Sequence, residues 1–276
     1  MTDVKLVPFG PEHIEEAVAL SRETRWPHRR EDWVLLLGIS QGVVALAAGR
    51  VVGTALCTPF DSSLAAINMI IVGEGQRGRG LGRRLMQEVI TIAGDRTMRL
   101  TATEDGRRLY QKLGFVAAGQ IVQHQGIANA MPVPQGVMWA SRANHAEITA
   151  LDRQAFGADR GALFAHILPR ARTAMIRRQG RLLGFAVCRA FGHGYVIGPM
   201  VAPGLEEAKR LAATQIASHP DTFLRVDTDA ESGLGDWLVG RALLPAGGGT
   251  VMYRGRPPHT VPNCPLIFAL AAQALG

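Results

Sequence analysis

The alternation of apolar and polar positions predicts a compact series of strands and helices in the first 122 residues. Residues 4–8 have the pattern of a short strand, and a proline at position 11 followed by regularly spaced apolar residues predicts a first helix. A pair at Gly49-Arg50 predicts a two-residue hairpin turn. The further predicted elements are strands over 43–48, 51–58 and 64–72, a helix from Leu81, a strand over 98–102, a helix over 104–113 and a strand over 115–122.

The chain is organised around a glycine-rich stretch that joins a strand to a helix, from Ile67 to Arg84. An apolar run over 69–72 predicts a buried strand, and helical spacing begins at Leu81. Glycines permit tight turns and close approach of a ligand, and the N–H groups of a first helical turn have no partner within the helix. Four arginines add positive charge, so we expect a ligand that carries phosphate. The residues concerned are Gly73, Gly75, Gly78, Gly80, Gly82, Arg77, Arg79, Arg83 and Arg84.

Two phosphate-binding motifs compete for this loop. Gly73-x-Gly75-x-x-Gly78 fits a dinucleotide fingerprint, but no second parallel strand ending in an acidic residue follows at the required distance. Arg77-x-x-Gly80-x-Gly82 resembles the pyrophosphate loop of the GNAT superfamily of N-acetyltransferases. The downstream stretch Leu109-Tyr110-Gln111-Lys112-Leu113-Gly114-Phe115 is similar to a helix-to-strand element of the same family.

This resemblance implies an α+β fold with a mixed, mostly antiparallel sheet flanked by helices. It implies acetyl-CoA as cosubstrate and coenzyme A as product, with the pantetheine arm beside the strand that precedes the loop. Tyr110 matches the tyrosine acid that the family commonly uses. The expected cofactor-binding residues are Ile70, Ile71, Val72, Arg77, Gly78, Arg79, Gly80, Leu81, Gly82 and Arg83.

The family's acceptor site is walled by its first two helices, which implies substrate contacts from Trp26, His28 and Asp32, together with Asn68 on the strand before the loop. Packing anchors are the structural alternative for the tryptophan, and support of a helix start is the alternative for Asp32. The general base is not evident, with Asp61, His28 and Asp32 as candidates. Thr103 and Gly106 stand where the family often has Asn and Ala.

A second unit resembles the first at a constant offset of 131 residues. Gly49-Arg50-Val51-Val52-Gly53 returns as Gly180-Arg181-Leu182-Leu183-Gly184, and first-helix residues match in the same register. We therefore expect tandem GNAT-like domains over 1–126 and 137–260, joined by a linker over 127–136. Residues 261–276 are predicted to form an apolar tail helix.

The second unit lacks the phosphate loop. Its strand at 196–201 runs into Ala202-Pro203-Gly204-Leu205-Glu206-Glu207, with no arginine and two carboxylates at the helix start. Carboxylates there suit the helix dipole and repel a pyrophosphate. We expect cofactor binding in the first half alone.

Composition limits the remaining function classes. The 276 residues are 47% hydrophobic and carry a formal charge of +7, but the basic residues are dispersed, so nucleic-acid binding is not indicated. Cys57, Cys188 and Cys264 lack metal-ligand or disulfide spacing, and no metal is expected. The chain shows no signal peptide and no long apolar run, which predicts a cytoplasmic protein without membrane contact.

These observations predict an N-acetyltransferase that transfers acetyl from acetyl-CoA to a primary amine of a small-molecule or amino-acid-like acceptor. A sensor that binds acyl-CoA without turnover is the first alternative, and a nicotinamide-dependent enzyme is the second. The expected partner is the amine acceptor, with no nucleic acid and no membrane; a homodimer is left open.

Overall fold

The computed structural model describes residues 4–258 and 264–276, and one mixed sheet of 13 strands dominates it. Helices cover both faces of this sheet. The strands are β1 (Val4–Pro8), β2 (Gln41–Ala47), β3 (Arg50–Pro59), β4 (Leu64–Val72), β5 (Thr97–Ala102), β6 (Val116–Ile127), β7 (Met138–Trp139), β8 (Arg172–Arg178), β9 (Arg181–Phe191), β10 (Gly194–Ala202), β11 (Phe223–Asp229), β12 (Leu244–Arg254) and β13 (Leu266–Ala269). The helices are α1 (Ile14–Glu23), α2 (Arg30–Gly38), α3 (Leu81–Ala93), α4 (Glu104–Lys112), α5 (His145–Phe156), α6 (Gly161–Ile167), α7 (Leu205–Ala217) and α8 (Leu234–Val239).

The β2–β3 hairpin lies one residue earlier than its predicted turn. Ala47 pairs with Arg50, so the two loop residues are Ala48 and Gly49 rather than Gly49 and Arg50. Both loop residues have positive φ, at 50° and 78°. This is the backbone conformation that the twist of a two-residue hairpin favours.

The two halves exchange their last strands. Strand β6 of the first half pairs antiparallel with β11 of the second, while β12 of the second half pairs antiparallel with β5 of the first. Strands β6 and β12 also pair with each other at the centre of the sheet. The spatial order is β1-β2-β3-β4-β5-β12-β6-β11-β10-β9-β8-β7, with β13 on β10.

The offset of 131 residues persists in three dimensions. Strand β8 begins and ends at the positions that the offset gives from β2. A glutamate of the first helix accepts a hydrogen bond from the start of the hairpin's second strand in both halves. Glu16 accepts from the N–H of Val51, and Glu147 accepts from the N–H of Leu182 at 3.2 Å. The tandem arrangement of two similar α+β units is therefore a property of the fold.

One apolar core joins the two halves. Trp33 of α2, fully buried, belongs to the same cluster as Ile148 of α5 and Phe164 of α6. Separate cores lie beneath α3 in the first half and beneath α7 in the second. Burial of aromatic and branched side chains across the junction stabilises the two halves as a unit.

The predicted tail helix is wrong. Residues 266–269 form β13, which pairs antiparallel with Met200, Val201 and Ala202 of β10, and a turn follows. The tail lies beside the edge of β10, whose backbone N–H and C=O groups need hydrogen-bond partners. A strand supplies these partners, whereas a helix would not. The start of this predicted tail and the end of the predicted second domain fall partly outside the described residues.

Within residues 4–258 and 264–276, no helix combines the length and apolar character needed to cross a membrane.

Candidate active site

The start of α3 presents backbone donors to an open groove. Gly80 caps the helix in the left-handed conformation at φ 77°, and no side chain caps this end. The first-turn N–H groups therefore have no intrahelical acceptor. No acidic residue occupies the first turn, so the positive end of the helix dipole stays uncompensated.

A groove of about 710 Å³ extends from this helix start. A Cβ added at Gly78 or Gly80 would meet nothing within 4 Å, so the loop leaves space beside its backbone. Unpaired amides, positive charge and this space fit the pyrophosphate of acetyl-CoA. Of the residues predicted to bind the cofactor, all except Arg79 line the groove: Ile70, Ile71, Val72, Arg77, Gly78, Gly80, Leu81, Gly82 and Arg83.

The sheet opens beside the groove because β4 and β5 separate. Their parallel pairing covers only residues 64–66 of β4. Met69 has φ 51°, and the β3–β4 register shifts around it, which marks a bulge. The hydroxyl of Thr54 donates to the Met69 carbonyl at 2.7 Å and fixes this bulge. Beyond the bulge, no strand in the described part of the chain occupies the edge of β4 that faces β5, as the predicted pantetheine site requires.

Tyr110 stands at the inner end of the groove. Its ring is buried, packs edge-on against Phe115 at 6.2 Å between centroids, and lies over Gly106. A Cβ added at position 106 would lie 2.7 Å from the Tyr110 ring. The ring can therefore occupy this place because residue 106 has no side chain. Burial raises the pKa of Tyr110 to about 12, so its hydroxyl keeps its proton at neutral pH.

A second cavity, of about 290 Å³, adjoins the groove and is lined by both halves of the chain. We call it the acceptor cavity. Trp26, Ile70, Thr103 and Tyr110 line both spaces, so the two meet at the tyrosine. The acceptor cavity is further lined by Arg25, Pro27, His28, Ile67, Asn68, Met69, Thr101, Gln123, Phe191, Arg225, Ala246, Gly248, Ala272, Gln273 and Ala274.

Three of the four predicted substrate contacts reach this cavity. Trp26, His28 and Asn68 line it. The pKa of His28 is lowered to about 4, chiefly by burial. Asp32 opposes this shift, and Arg225 and Arg189 contribute to it. The imidazole is therefore neutral at pH 7 and a weak base.

Asp32 does not reach the acceptor cavity. Its carboxylate accepts from the Arg29 backbone N–H at 2.9 Å and from the Arg29 guanidinium at 3.1 Å, and Arg189 lies 3.8 Å away. Its role is to hold the start of α2 and to pair buried arginines. Asp61 is likewise engaged elsewhere, by the N–H groups of Ser63 and Asp159.

Several lining residues were missed by sequence reasoning because they come from the second half and the tail. Phe191 ends β9, Arg225 lies in β11, and Gln273 follows β13. One signal was available, since Arg225 and Asp227 are opposite charges at alternate positions, with the apolar Leu224 and Val226 beside them.

The corresponding place in the second half is closed. Residues 203–204 replace the loop at 73–80, and Glu206 and Glu207 occupy the first turn of α7. In the first half the Phe115 N–H donates to the Tyr110 carbonyl, and in the second half the Leu243 N–H donates to the Leu238 carbonyl in the same way. Leucine therefore stands at the place of the tyrosine. Strand β13 lies on β10 where the edge of β4 is open.

Fold and site together describe two similar α+β domains with, among the described residues, an open groove at the start of α3 in the first half and a closed counterpart in the second. A family model described as "Acetyltransferase (GNAT) family" matches residues 11–115, and one described as "Acetyltransferase (GNAT) domain" matches residues 148–264. The chain belongs to the GNAT family and carries two of its domains.

Relatives and solved structures agree with this assignment. The uncharacterized N-acetyltransferase YitH of Bacillus subtilis is 26% identical over 99% of this chain and 98% of its own length. Holothin acyltransferase of Pseudoalteromonas is 25% identical over 79% and 75% of the two chains. A putative acetyltransferase structure from Pyrococcus horikoshii, 20% identical, gives a TM-score of 0.84 over 99% and 96%. A tandem GNAT protein from the clavulanic acid biosynthesis pathway, 16% identical, gives 0.64 over 92% and 99%.

Proposed function

We propose that this protein is an acetyl-CoA-dependent N-acetyltransferase that acts on the primary amine of a small-molecule acceptor. The observation that carries the proposal is the meeting of two spaces at one protonated tyrosine. The groove with the free helix start and the acceptor cavity share Trp26, Ile70, Thr103 and Tyr110. A donor and an acceptor bound in these spaces would be held next to each other.

The chain's own residues supply binding and proton control. The N–H groups of residues 80–83 would hold the pyrophosphate, with Arg77 and Arg83 adding charge, and the open edge of β4 would hold the pantetheine arm. When bound, acetyl-CoA supplies an acetyl thioester whose C–S bond breaks as the N–C bond of the product amide forms. The acceptor would react as the neutral amine. The Tyr110 hydroxyl, kept protonated by burial, would donate its proton to the departing sulfur, and the proton that the nitrogen loses as the amide forms would return through solvent to the tyrosine oxygen.

The names of two relatives support acyl transfer to nitrogen. YitH is called an N-acetyltransferase and the Pseudoalteromonas protein an acyltransferase of holothin. Neither name identifies the acceptor of this chain, and acceptor walls vary between members of a fold.

The test is thiol release from acetyl-CoA over a panel of primary amines, with Tyr110→Phe as the diagnostic variant. Loss of the hydroxyl should lower kcat about a hundredfold and leave the affinity for acetyl-CoA nearly unchanged. Tyr195→Phe is the matched control, since Tyr195 is 37% exposed on β10 of the second half. Acceptor-dependent release that is equal in both variants would remove Tyr110 from the mechanism.

An acyl-CoA-binding protein without turnover is the second candidate. It is favoured by the lining of the acceptor cavity, in which the described residues include no Asp or Glu and the pKa of His28 is only about 4. Saturable binding of acetyl-CoA with no acceptor-dependent thiol release across the panel would establish this candidate and reject the enzyme.

A further inference from the structure

Among the described residues, every charged side chain that lines the acceptor cavity is basic. Arg25 and Arg225 line it, and no carboxylate does. An ammonium group would find no counter-ion there, whereas an anionic group would find a guanidinium. The charge of the acceptor cavity therefore favours an anionic group over an ammonium group.

Arg225 is held rigidly by its neighbour in β11. Its Nε donates to Asp227 at 3.1 and 3.0 Å, and Nη2 lies 2.9 Å from the same carboxylate. Gln273 donates to Asp227 at 3.1 Å and supports the pair. The side chain of Arg225 is 10% exposed, and Nη1 has no hydrogen-bond partner within residues 4–258 and 264–276. This guanidinium is oriented in advance and retains a donor.

The surrounding charges do not neutralise this wall. Asp32 is shared between Arg29 and Arg189, and the guanidinium groups of Arg189 and Arg225 lie 5.3 and 5.1 Å from the Phe191 ring centroid. The guanidinium groups of Arg29, Arg189 and Arg225 are thus paired with only two carboxylates, those of Asp32 and Asp227. The remaining positive charge stabilises an anion and disfavours an ammonium in the cavity.

Two polar side chains of strands β4 and β5 line the acceptor cavity with unpaired atoms. The Oδ1 atom of Asn68 and the hydroxyl of Thr101 are buried, and neither has a hydrogen-bond partner among the described residues. The Asn68 amide is oriented because its Nδ2 donates to Thr58 at 2.8 Å. Its Oδ1 is therefore an acceptor for an N–H group, and a buried acceptor of this kind is costly to leave unpaired.

We propose that the acceptor is a carboxylate-bearing primary amine, with its carboxylate bound by Arg225 of the second half and its amine N–H accepted by Asn68 of the first. This assignment rests on the proposed N-acetyltransferase function. It gives the second half a substrate-binding role, because β11 and the tail that holds Asp227 in place both belong to it.

The first experiment compares L-amino acids with their primary amides and with the corresponding decarboxylated amines, using thiol release from acetyl-CoA. We expect the best amino acid to exceed its amide and its amine at least tenfold in kcat/KM. Turnover of the amides or of the decarboxylated amines that equals or exceeds that of the amino acids would overturn the inference while leaving the N-acetyltransferase function intact.

The second experiment removes the charge pair without leaving a lone buried carboxylate. The double variant Arg225→Gln/Asp227→Asn should raise KM for the amino acid about thirtyfold and leave the activity with its amide within a factor of about three. Arg225→Lys should fall in between, since it keeps the charge without the fixed fork. Arg178→Gln, 71% exposed on β8, is the matched control. An unchanged KM in a double variant that binds acetyl-CoA normally would overturn the inference.

A binding measurement separates the two proposals. Calorimetry with the N-acetyl derivatives of the same amino acids and their amides needs no turnover. Preferential binding of the acids to wild type, lost in the double variant, would support the carboxylate site even if no amine is acetylated. Absence of acetylation over the whole panel would reject the proposed function alone, and equal binding of acids and amides would reject this inference alone.

Discussion

The two halves of the chain keep the offset of 131 residues through their first hairpins and then differ. Their fourth strands, β4 over 64–72 and β10 over 194–202, are offset by one residue less, and the connections that follow are unlike each other. In the first half, residues 73–80 form a wide loop before α3, whereas residues 203–204 suffice before α7. Glu206 and Glu207 of α7 stand where Gly82 and Arg83 stand in α3. The edge beside this connection is open in β4 and covered by β13 in β10. Three independent features therefore close one cleft and leave the other accessible.

The difference shows how one scaffold serves two purposes. The first half keeps a helix start without acidic residues and the buried Tyr110, while the second half provides a wall of the acceptor cavity through Phe191 and Arg225. The hairpins and first helices retain the same glutamate contact in both halves. Function diverged at a connection while packing contacts persisted.

The largest expected effect tests whether β13 is a structural part of the second half. Phe268→Ala removes a ring that is 3% exposed in the core beneath α7, so the free energy of unfolding should fall by about 3–5 kcal/mol. Urea titration measures this change. Leu266→Ala, at a position 53% exposed on the same strand, should change it by less than about 0.5 kcal/mol. Similar losses in the two variants would contradict the role given to Phe268.

The next effect tests the helix start by making the first half resemble the second. The double variant Gly82→Glu/Arg83→Glu adds repulsion at the proposed pyrophosphate position, and acetyl-CoA should bind about a hundredfold more weakly by calorimetry. The helix should remain stable because carboxylates suit its first turn. The reverse double variant, Glu206→Gly/Glu207→Arg, should gain no second acetyl-CoA site because β13 still covers β10. A second site of similar affinity would show that charge alone separates the halves.

A smaller effect concerns His28, which lies where the halves meet. Its pKa is lowered to about 4 in the folded protein, so the unfolded chain binds the proton first as the pH falls below about 6.5. The free energy of unfolding should therefore decrease by about 2 kcal/mol from pH 7 to pH 5 on account of this residue. In His28→Gln this contribution should vanish, whereas the exposed His193→Gln should keep it. Denaturant titrations at several pH values decide between these outcomes.

The prediction with the smallest expected effect concerns the position of the Tyr110 ring over Gly106. In Gly106→Ala the new methyl group would lie 2.7 Å from the Tyr110 ring, so the ring must move. We expect kcat to fall about tenfold, with little change in acetyl-CoA affinity. Gly75→Ala is the control, because a Cβ there meets nothing within 4 Å and its φ is not positive. An unaltered kcat in Gly106→Ala would show that the position of the ring is not critical.

The sequence predicted most of what depends on local pattern. The strand, glycine loop and helix over 67–84 carry their signals within one short segment, and the repeat at offset 131 was visible as matching letters. The tail was misjudged because an apolar run of that length fits a helix or a strand, and only the open edge of β10 decides between them. Support of the α2 start was one of the two roles predicted for Asp32, since Arg29 lies three residues before it, but its contacts with Arg189 and the N–H of Gly192 could not be predicted because these residues lie far along the chain.

The exchange of β6 and β12 was equally invisible, since either strand could have paired within its own half. It makes each copy dependent on the other for a neighbour at β5 or β11. If the chain were cut near residue 130 and the two pieces separated, each piece would lose a central strand of its sheet. Each would then expose strand edges with unpaired backbone groups, which favour self-association. With the strands crossed over, loss of either copy would leave the other without a neighbour in the middle of the sheet, so this exchange by itself ties the two copies together.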